Sequence, residues 1–315
     1  MEILSVKDDS AWDTFISSSP QKNVYSKSFF LKLQDLNFLR YFVMHQKKIV
    51  LAAVLIEPNT DFLSPASYSQ YQGIFYPKPE KKKTFFQAIE FKALTFFIDE
   101  ILKKNKALSF SLHHSIKDIR PFQWFNYDEP AKGMFKTNLR YSACVNLSNY
   151  NNFDNYLSSI RKCRRDEYKK AISSNFTWEI SLNIDIFLSL YIDTFKRQDI
   201  SISNSTLNFI RRIVEKSLDN KKALLFLGYI NNEAVASNVF LIDDQIAYYQ
   251  FGASNPIYRN KGSSSALMIC ALRYLYDNKI NEVDFVGVNS PNRGDFKLSF
   301  NSELVQFFNM SFGKE

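Results

Sequence analysis

The stretch YQFGASNPIYRNKGSSSAL, from Tyr249 to Leu267, decides the fold. Its first residues end an apolar strand, and its last residues begin an amphipathic helix predicted over Ser263–Asp277. Gly262 allows a backbone conformation that other residues rarely adopt, and Ser263–Ser265 begin the helix with small side chains. The stretch therefore joins a strand to a helix through a glycine turn.

This turn combines the features of an anion site. A helix that begins at Ser263 leaves its first amide groups without intrahelical partners, and its dipole directs positive charge at the turn. A pyrophosphate group bound there would contact Arg259, Asn260, Lys261, Gly262, Ser263, Ser264 and Ser265. An ordinary glycine turn before a serine-capped helix explains the same residues, so the neighbouring elements must decide.

The elements around the turn have a definite order. Upstream, hydrophobic periodicity predicts three strands, Ala223–Ile230, Val235–Ile242 and Ile246–Gly252. Asn231–Asn232 and Asp243–Asp244 link these strands and tolerate positive φ, which indicates two hairpins. Downstream of the helix, Glu282–Val286 is predicted to form a further, parallel strand.

The first half of the chain repeats this order without sequence identity to the second half. Strands are predicted at Ile3–Val6, Leu39–His45, Ile49–Ile56, Ala107–Leu112 and Leu139–Leu147, and helices at Trp12–Ile16, Phe29–Leu36 and Glu80–Lys104. One basic helix, Asn152–Ser173, is predicted to open the second half. The chain is therefore expected to contain two domains, 1–150 and 151–315.

The two halves differ at the turn. The corresponding segment of the first half, Gly73–Thr84, contains two prolines and no glycine beside the helix start. Because proline has no amide hydrogen, this segment is a poorer cradle for pyrophosphate. We therefore expect the pyrophosphate site in residues 151–315 rather than in residues 1–150.

Composition excludes several classes of protein. The chain has 315 residues, of which 45% are hydrophobic, 23% charged and 16% aromatic, as in a folded protein rather than a disordered one. The longest apolar run, Ile49–Ile56, is far shorter than the roughly 20 residues of a membrane helix. The acidic N-terminus does not resemble a signal peptide, so a cytoplasmic location is expected.

The numbers of cysteines and histidines and the net charge indicate which ligands the protein can bind. Three cysteines without a C-x-x-C pair indicate reduced thiols, and with three histidines no metal site is expected. The net charge of +8 favours anionic partners. Phosphates, acidic sugars and RNA all have that chemistry, and a solvated basic surface accounts for the charge equally well.

The order of three strands, small-residue turn, helix and parallel strand resembles the GNAT acyltransferase fold. Arg259–Ser264 resembles the R/Q-x-x-G-x-G/A pyrophosphate loop of that superfamily, with Ser264 in place of its last small residue. Four further segments resemble its Fem-type and BioF2-like branch: DIRPFQWFNY (Asp118–Tyr127), KTNLRYSACVNL (Lys136–Leu147), SSIRKCRRDEYKKA (Ser158–Ala171) and VDFVGVNSPNRGDFKLSFN (Val283–Asn301). The resemblance covers most of the chain.

The resemblance implies an α/β protein of two tandem GNAT-like domains, with mixed central sheets flanked by helices. It also implies transfer of an acyl or aminoacyl group to an amine, which requires a hydrogen-bond donor for the developing oxyanion and a base. With the pyrophosphate loop in residues 151–315, this second domain is expected to bind the acyl donor, and residues 1–150 are expected to contact the acceptor. Lys297 resembles the lysine that Fem-type enzymes place near the reacting carbonyl, although a surface lysine on a short helix is the alternative. Asp118 resembles an acidic residue near the acceptor amine, and it is also placed to cap a turn or pair with Arg120.

Further candidates lie in the same segments of the chain. Tyr249 and Tyr258 could protonate a leaving thiolate or simply pack in the core. Arg293, Asp295 and Asn289 are candidates for substrate contacts, and Arg293 and Asp295 could instead pair with each other. The basic run Arg161–Lys170 could contact phosphates of either substrate or form a solvated helix face.

Function is predicted in order of preference. The first prediction is an N-acyltransferase that uses acyl-CoA, such as acetyl-CoA, and modifies a small-molecule amine or a nucleotide-linked sugar or peptide precursor of the cell envelope. The second is a Fem-type transferase that takes an aminoacyl group from tRNA and acts on a peptidoglycan precursor. The third is a basic RNA-binding module without catalysis. An inactive member of the same fold is a fourth reading, and an occluded loop at Gly262 would favour it.

Overall fold

The computed structural model describes residues 1–59, 62–79 and 83–313, and the chain divides into two compact units. The first unit comprises Met1–Arg140 and Gln306–Glu315, and the second comprises Tyr141–Val305. These units differ from the predicted domains, 1–150 and 151–315, at both ends of the second unit. The donor and acceptor roles assigned to the two domains stay predictions.

Ten strands and α-helices of the described residues precede the second unit in the chain. They are β1 (Glu2–Ser5), α1 (Asp9–Ser18), α2 (Ser28–Leu33), β2 (Asn37–His45), β3 (Lys48–Asn59), β4 (Phe62–Ser64), β5 (Ile74–Phe75), α3 (Lys83–Leu102), β6 (Ala107–Ser111) and α4 (Arg120–Gln123). The predicted helix Glu80–Lys104 corresponds to α3, and its first three predicted residues lie outside the described residues. The same three residues belong to the predicted loop Gly73–Thr84.

The remaining elements begin with a strand that enters the second unit. They are β7 (Lys136–Asn146), α5 (Phe153–Ser159), α6 (Lys162–Ile172), β8 (Phe176–Ile180), α7 (Ile184–Lys196), α8 (Asn204–Asp219), β9 (Ala223–Ile230), β10 (Glu233–Asp243), β11 (Ile246–Ser254), α9 (Ser263–Asp277), β12 (Glu282–Asp284), α10 (Pro291–Leu298) and β13 (Glu303–Phe312). Helix α9 has the bounds that the sequence predicts.

The first unit is built on strands in the order β1-β2-β3-β4-β6, followed by the part of β13 that belongs to this unit. Gln46 and Lys47, with φ of 49° and 61°, form the two-residue turn between β2 and β3. The helix α3 covers one face of the sheet, where Leu94 and Phe97 are fully buried. Trp12 of α1 is fully buried on another apolar cluster of this unit.

The second unit is built on strands in the order β7-β12-β11-β10-β9-β8. The pair β11–β12 is parallel and the other pairs are antiparallel. The helix α9 lies on this sheet, and residues such as Met268 and Leu272 are fully buried in the core. Mixed sheets flanked by helices confirm the predicted fold class.

The last strand of each predicted domain lies in the other unit. Val145 of β7 pairs with Val283 of β12 in the second unit. Met310 of β13 pairs with Phe110 of β6 in the first unit. Hydrophobic periodicity indicates that β7 and β13 are strands, but it does not indicate which sheet each one completes.

Two local predictions were wrong. The predicted basic helix over 152–173 is two helices, because Ile160 is buried in an extended conformation and the amide of Arg161 donates to the Ser299 carbonyl (3.0 Å). The second hairpin turn is Asp244–Gln245 rather than Asp243–Asp244, since Asp243 still pairs with Ile246. None of the described helices is long and apolar enough to cross a lipid bilayer.

Candidate active site

Strands β11 and β12 separate after a short parallel pairing, and this separation creates the candidate site. The pairing ends at Tyr248 and Asp284. Val286 and Gly287 then turn the chain away with φ of 51° and 65°. A β-branched residue rarely adopts a positive φ, so the backbone at Val286 is strained, as is common at functional sites.

A bulge marks the same region of β11. Val239 of β10 pairs with Phe251 and the next residue, Phe240, pairs with Tyr249, so Gln250 is the extra residue. Such a bulge redirects the side chains on either side of it. Tyr249 and Gln250 both border a cavity of about 830 Å³ whose walls come entirely from the second unit.

The cavity lining has a positive charge excess. Its walls are formed by α6, the end of α7, β10, β11, the start of α9, and α10. The basic residues on these walls are Arg164, Arg197, Arg259, Arg293 and Lys297, and the acidic residues are Glu167 and Asp295. This balance favours an anionic ligand.

Lys297 is held at the separation of the strands by two backbone carbonyl groups. Its Nζ donates to the carbonyl oxygens of Val286 and Gly287, the second at 2.9 Å. Nζ also lies 5.6 Å from the centre of the Tyr249 ring. Since an ammonium group has three N–H donors, one donor is left for a ligand in the cavity.

Burial lowers the pKa of Lys297 to about 8, and the nearby carboxylate of Asp284 opposes this shift. The side chain is therefore still mainly protonated at pH 7. A charged donor that is weakly solvated is well suited to stabilise negative charge on a reacting oxygen.

Asp284 and Ser142 hold the backbone that binds Lys297. Asp284 is 2% exposed, and its carboxylate accepts hydrogen bonds from Ser142 Oγ (2.5 Å) and the Val286 amide (2.7 Å). Ser142 Oγ in turn accepts from the Gly287 amide (3.2 Å). Sequence reasoning missed both residues, although an aspartate within the apolar run VDFVGV is a signal that could have identified Asp284.

Replacing Asp284 with asparagine is expected to lower the pKa of Lys297 further, because the carboxylate is the group that raises it. The pH dependence of Lys297 acetylation by acetic anhydride, read by mass spectrometry, measures this pKa directly. Half-maximal reactivity should occur at a lower pH in Asp284→Asn than in the wild type. Ser142→Ala keeps the carboxylate and is the matched control, and equal midpoints in wild type and Asp284→Asn would contradict the assignment.

The start of α9 is packed against α6. Gly262 has a φ of 77°, and a side chain there would overlap the carbonyl oxygen of Glu167. The Ser265 hydroxyl donates to the Glu167 carboxylate, which also pairs with Arg164 (2.6 Å). Ser265 is therefore already engaged within the protein.

The predicted phosphate loop presents only part of itself to the cavity. Arg259, Gly262, Ser264 and Ser265 border the cavity, whereas Asn260 and Lys261 are exposed elsewhere. Ser263 is fully buried. The loop thus borders an open cavity despite the packing of α6 on Gly262.

The two predicted tyrosines are separated. Tyr249 borders the cavity, and its hydroxyl donates to Asn238 Oδ1 (3.1 Å). Tyr258 does not border it, and its hydroxyl donates to the Glu233 carboxylate (2.6 Å). Burial raises the pKa of Tyr249, and the hydrogen bond to Glu233 raises that of Tyr258, so each phenol is a weaker acid than usual.

Two of the three predicted substrate contacts border the cavity. Arg293 lies 6.0 Å above the Phe195 ring, and Asp295 pairs with Arg161 (2.5 Å) rather than with Arg293. Asn289 does not border the cavity. Its Oδ1 accepts a hydrogen bond from the Tyr141 amide (2.8 Å), and its Nδ2 donates one to the Tyr141 carbonyl oxygen (2.9 Å). These two bonds extend the pairing of β7.

Asp118 lies in the first unit and has local partners. Its carboxylate accepts from Nε and Nη2 of Arg120 (2.8 and 2.5 Å) and from the Arg120 amide (3.2 Å). These bonds to Arg120 hold the pKa of Asp118 below its usual range, so the carboxylate is a weak base. This geometry is the one expected if Asp118 caps a turn and pairs with Arg120.

Comparison with known proteins agrees with the fold. Residues 155–297 match the family model described as an acetyltransferase (GNAT) domain. No curated protein matches the sequence. The crystal structure of FemX is similar over 98% of this chain and 97% of its own, with 12% identity and a TM-score of 0.67.

Two further solved structures are similar over nearly the whole chain. A tandem GNAT protein from the clavulanic acid biosynthesis pathway covers 100% of this chain and 99% of its own, with 8% identity and a TM-score of 0.55. The structure of L-PGS from Bacillus licheniformis is similar over 98% of this chain and 93% of its own, with 10% identity and a TM-score of 0.53. At such identities the likeness concerns the fold alone.

Residues 155–297 therefore form a GNAT-type acetyltransferase domain. The chain as a whole has a Fem-like fold of the GNAT superfamily. The predicted resemblance is thereby confirmed.

Proposed function

We propose that the protein is an N-acyltransferase that moves an acyl group from acyl-CoA to an amine. One observation carries the proposal: a single cavity is bordered both by the ammonium-bearing Lys297 and by Arg259 at the start of α9. The first group suits a reacting carbonyl, and the second suits an anionic donor tail.

The residues present fit acyl-CoA as a substrate. Arg259, Ser264 and the start of α9 would hold its pyrophosphate, and Lys297 would donate its remaining N–H to the thioester oxygen. The amine attacks the carbonyl carbon and loses a proton as the C–N bond forms. The C–S bond then breaks, and the sulfur takes up a proton.

The acceptor is proposed to be a nucleotide-linked sugar or peptide precursor with a free amine. Arg197 and Arg293 border the same cavity and add positive charge beyond the donor loop. Phosphate groups on such an acceptor would bind guanidinium groups well. A thioester-consumption assay with a panel of amino sugars and their nucleotide derivatives tests this proposal, and no turnover with any of them would count against it.

Replacing Arg259 with alanine is expected to weaken CoA binding about tenfold or more, because a hydrogen bond to a charged group contributes roughly 1.5–3 kcal/mol. Titration calorimetry with CoA measures the effect. Lys261→Ala is the matched control, since Lys261 lies on the same loop but does not border the cavity. Equal losses in the two variants would indicate general electrostatics rather than a phosphate contact.

A second candidate is transfer of an aminoacyl group from tRNA, as in the Fem-type alternative. The observation in its favour is the Glu167 carboxylate, which bonds to Ser265 where a pyrophosphate would lie. Discharge of labelled aminoacyl-tRNA onto a peptidoglycan precursor, without CoA binding, would favour this candidate. The basic RNA-binding module without catalysis stays a prediction.

A further inference from the structure

Asn238 is a buried polar residue on a cavity wall that the sequence does not single out. It lies in the middle of β10 and is 4% exposed. Its partner across the strand pair is Gly252, which has no side chain. The side chain of Asn238 therefore has no cross-strand side chain from position 252 beside it, and the Tyr249 hydroxyl occupies that space instead.

The hydrogen bonds of this amide are incomplete. Oδ1 accepts from the Tyr249 hydroxyl (3.1 Å), whereas Nδ2 is shielded from solvent and has no partner among the described residues. A buried donor without a partner costs folding free energy, and proteins rarely retain one without a reason. A group that enters the cavity and accepts this hydrogen bond would supply the reason.

Tyr249 connects Asn238 to Lys297. The hydroxyl of Tyr249 lies in the space that a side chain at Gly252 would fill, so the ring is aligned along β11. Lys297 Nζ lies 5.6 Å from the centre of the same ring. Two hydrogen-bond donors, one neutral and one charged, therefore flank one aromatic ring on the cavity wall.

We propose that the Asn238 side-chain amide donates a hydrogen bond to the carbonyl oxygen of the acyl group. This inference rests on the proposed function. A carbonyl oxygen has two lone pairs, so an oxygen that accepts from Asn238 keeps one lone pair for a second donor such as Lys297. Tyr249 is a positioning residue that fixes the orientation of the amide.

The test compares two ligands that differ in the carbonyl oxygen. Acetyl-CoA has it, and S-ethyl-CoA, a thioether of similar size, lacks it. Titration calorimetry should show that the wild type prefers acetyl-CoA by about three- to tenfold, the effect of a hydrogen bond of ordinary strength. Asn238→Leu should lose most of this preference while its affinity for S-ethyl-CoA stays within about twofold of the wild type.

Two further variants keep the test decisive. Asn238→Leu/Tyr249→Phe also removes the hydroxyl that the single variant leaves unpaired, so it serves if Asn238→Leu folds poorly. Ser237→Ala is the matched control, because Ser237 is the preceding residue, is fully buried with a hydroxyl that has no partner in the described part of the chain, and does not border the cavity. Its preference should equal that of the wild type.

The outcomes separate the two proposals. If the Asn238 variants keep the wild-type preference for acetyl-CoA, the role of Asn238 is overturned and the acyl-CoA proposal stands. If the wild type binds neither ligand, the acyl-CoA proposal itself fails. If the Asn238 variants lose the preference and the wild type and Ser237→Ala keep it, both proposals are supported.

Discussion

Lys297→Met is expected to lower kcat for acyl transfer by about 10²- to 10³-fold, the usual effect of removing one donor to a developing oxyanion. The ammonium of Lys297 is half-buried and is oriented by the carbonyl groups of Val286 and Gly287. Charge that develops on the substrate oxygen would meet this donor in a weakly solvated place. Thioester consumption under saturating substrate measures the loss, and Lys261→Met is the control.

The pH dependence of the activity is a second test of the role of Lys297. Because the pKa of Lys297 is lowered to about 8, the wild type should lose activity as the pH rises through that value. Lys297→Arg keeps its charge at all these pH values and should not show this alkaline loss, whatever its absolute rate. An unchanged alkaline loss in Lys297→Arg would show that another group titrates.

Gly262→Ala is expected to cost about 2–4 kcal/mol of unfolding free energy, a large effect for a single methyl group. The left-handed conformation at a φ of 77° accounts for roughly 1–2 kcal/mol of this loss. The rest comes from overlap with the carbonyl oxygen of Glu167, which is backbone and cannot rotate away. The start of α9 must therefore move, and CoA binding should weaken as well.

Thermal unfolding and CoA titration of the same preparations measure both effects. Asn232→Ala is the control, since Asn232 also has a positive φ, of 65°, but is exposed in a hairpin turn. The smaller effect is expected for Asn232→Ala. Equal destabilisation of the two variants would show that conformation alone, and not the packing of α6, makes Gly262 necessary.

Local patterns were sufficient for much of the second unit. The bounds of α9 follow from Gly262 and the helical spacing after it, and Asn231 and Asn232 adopt positive φ as their side chains favour. The motif around Lys297 also contains a residue that borders the cavity. Each of these features depends on residues that are close together in sequence, where propensity and periodicity act.

Contacts between distant segments account for what the patterns missed. Ser142 and Asp284 are 142 residues apart, and Ser265 meets Glu167 across 98 residues. In the sequence, Asn238 is one polar residue in an apolar strand. In the folded chain, the bulge at Gln250 brings the Tyr249 hydroxyl to it. No local preference encodes such partners.

The amino-acid sequence was therefore enough to establish the order of elements, the glycine turn before α9 and the class of fold, because these depend on short-range geometry and hydrophobic periodicity. Only tertiary packing decided that β7 pairs with β12 and that β13 pairs with β6. It also decided that Tyr258 faces Glu233 while Tyr249 faces the cavity. Side-chain partners and strand neighbours are chosen by the burial and hydrogen bonding of the whole chain, which short segments do not contain.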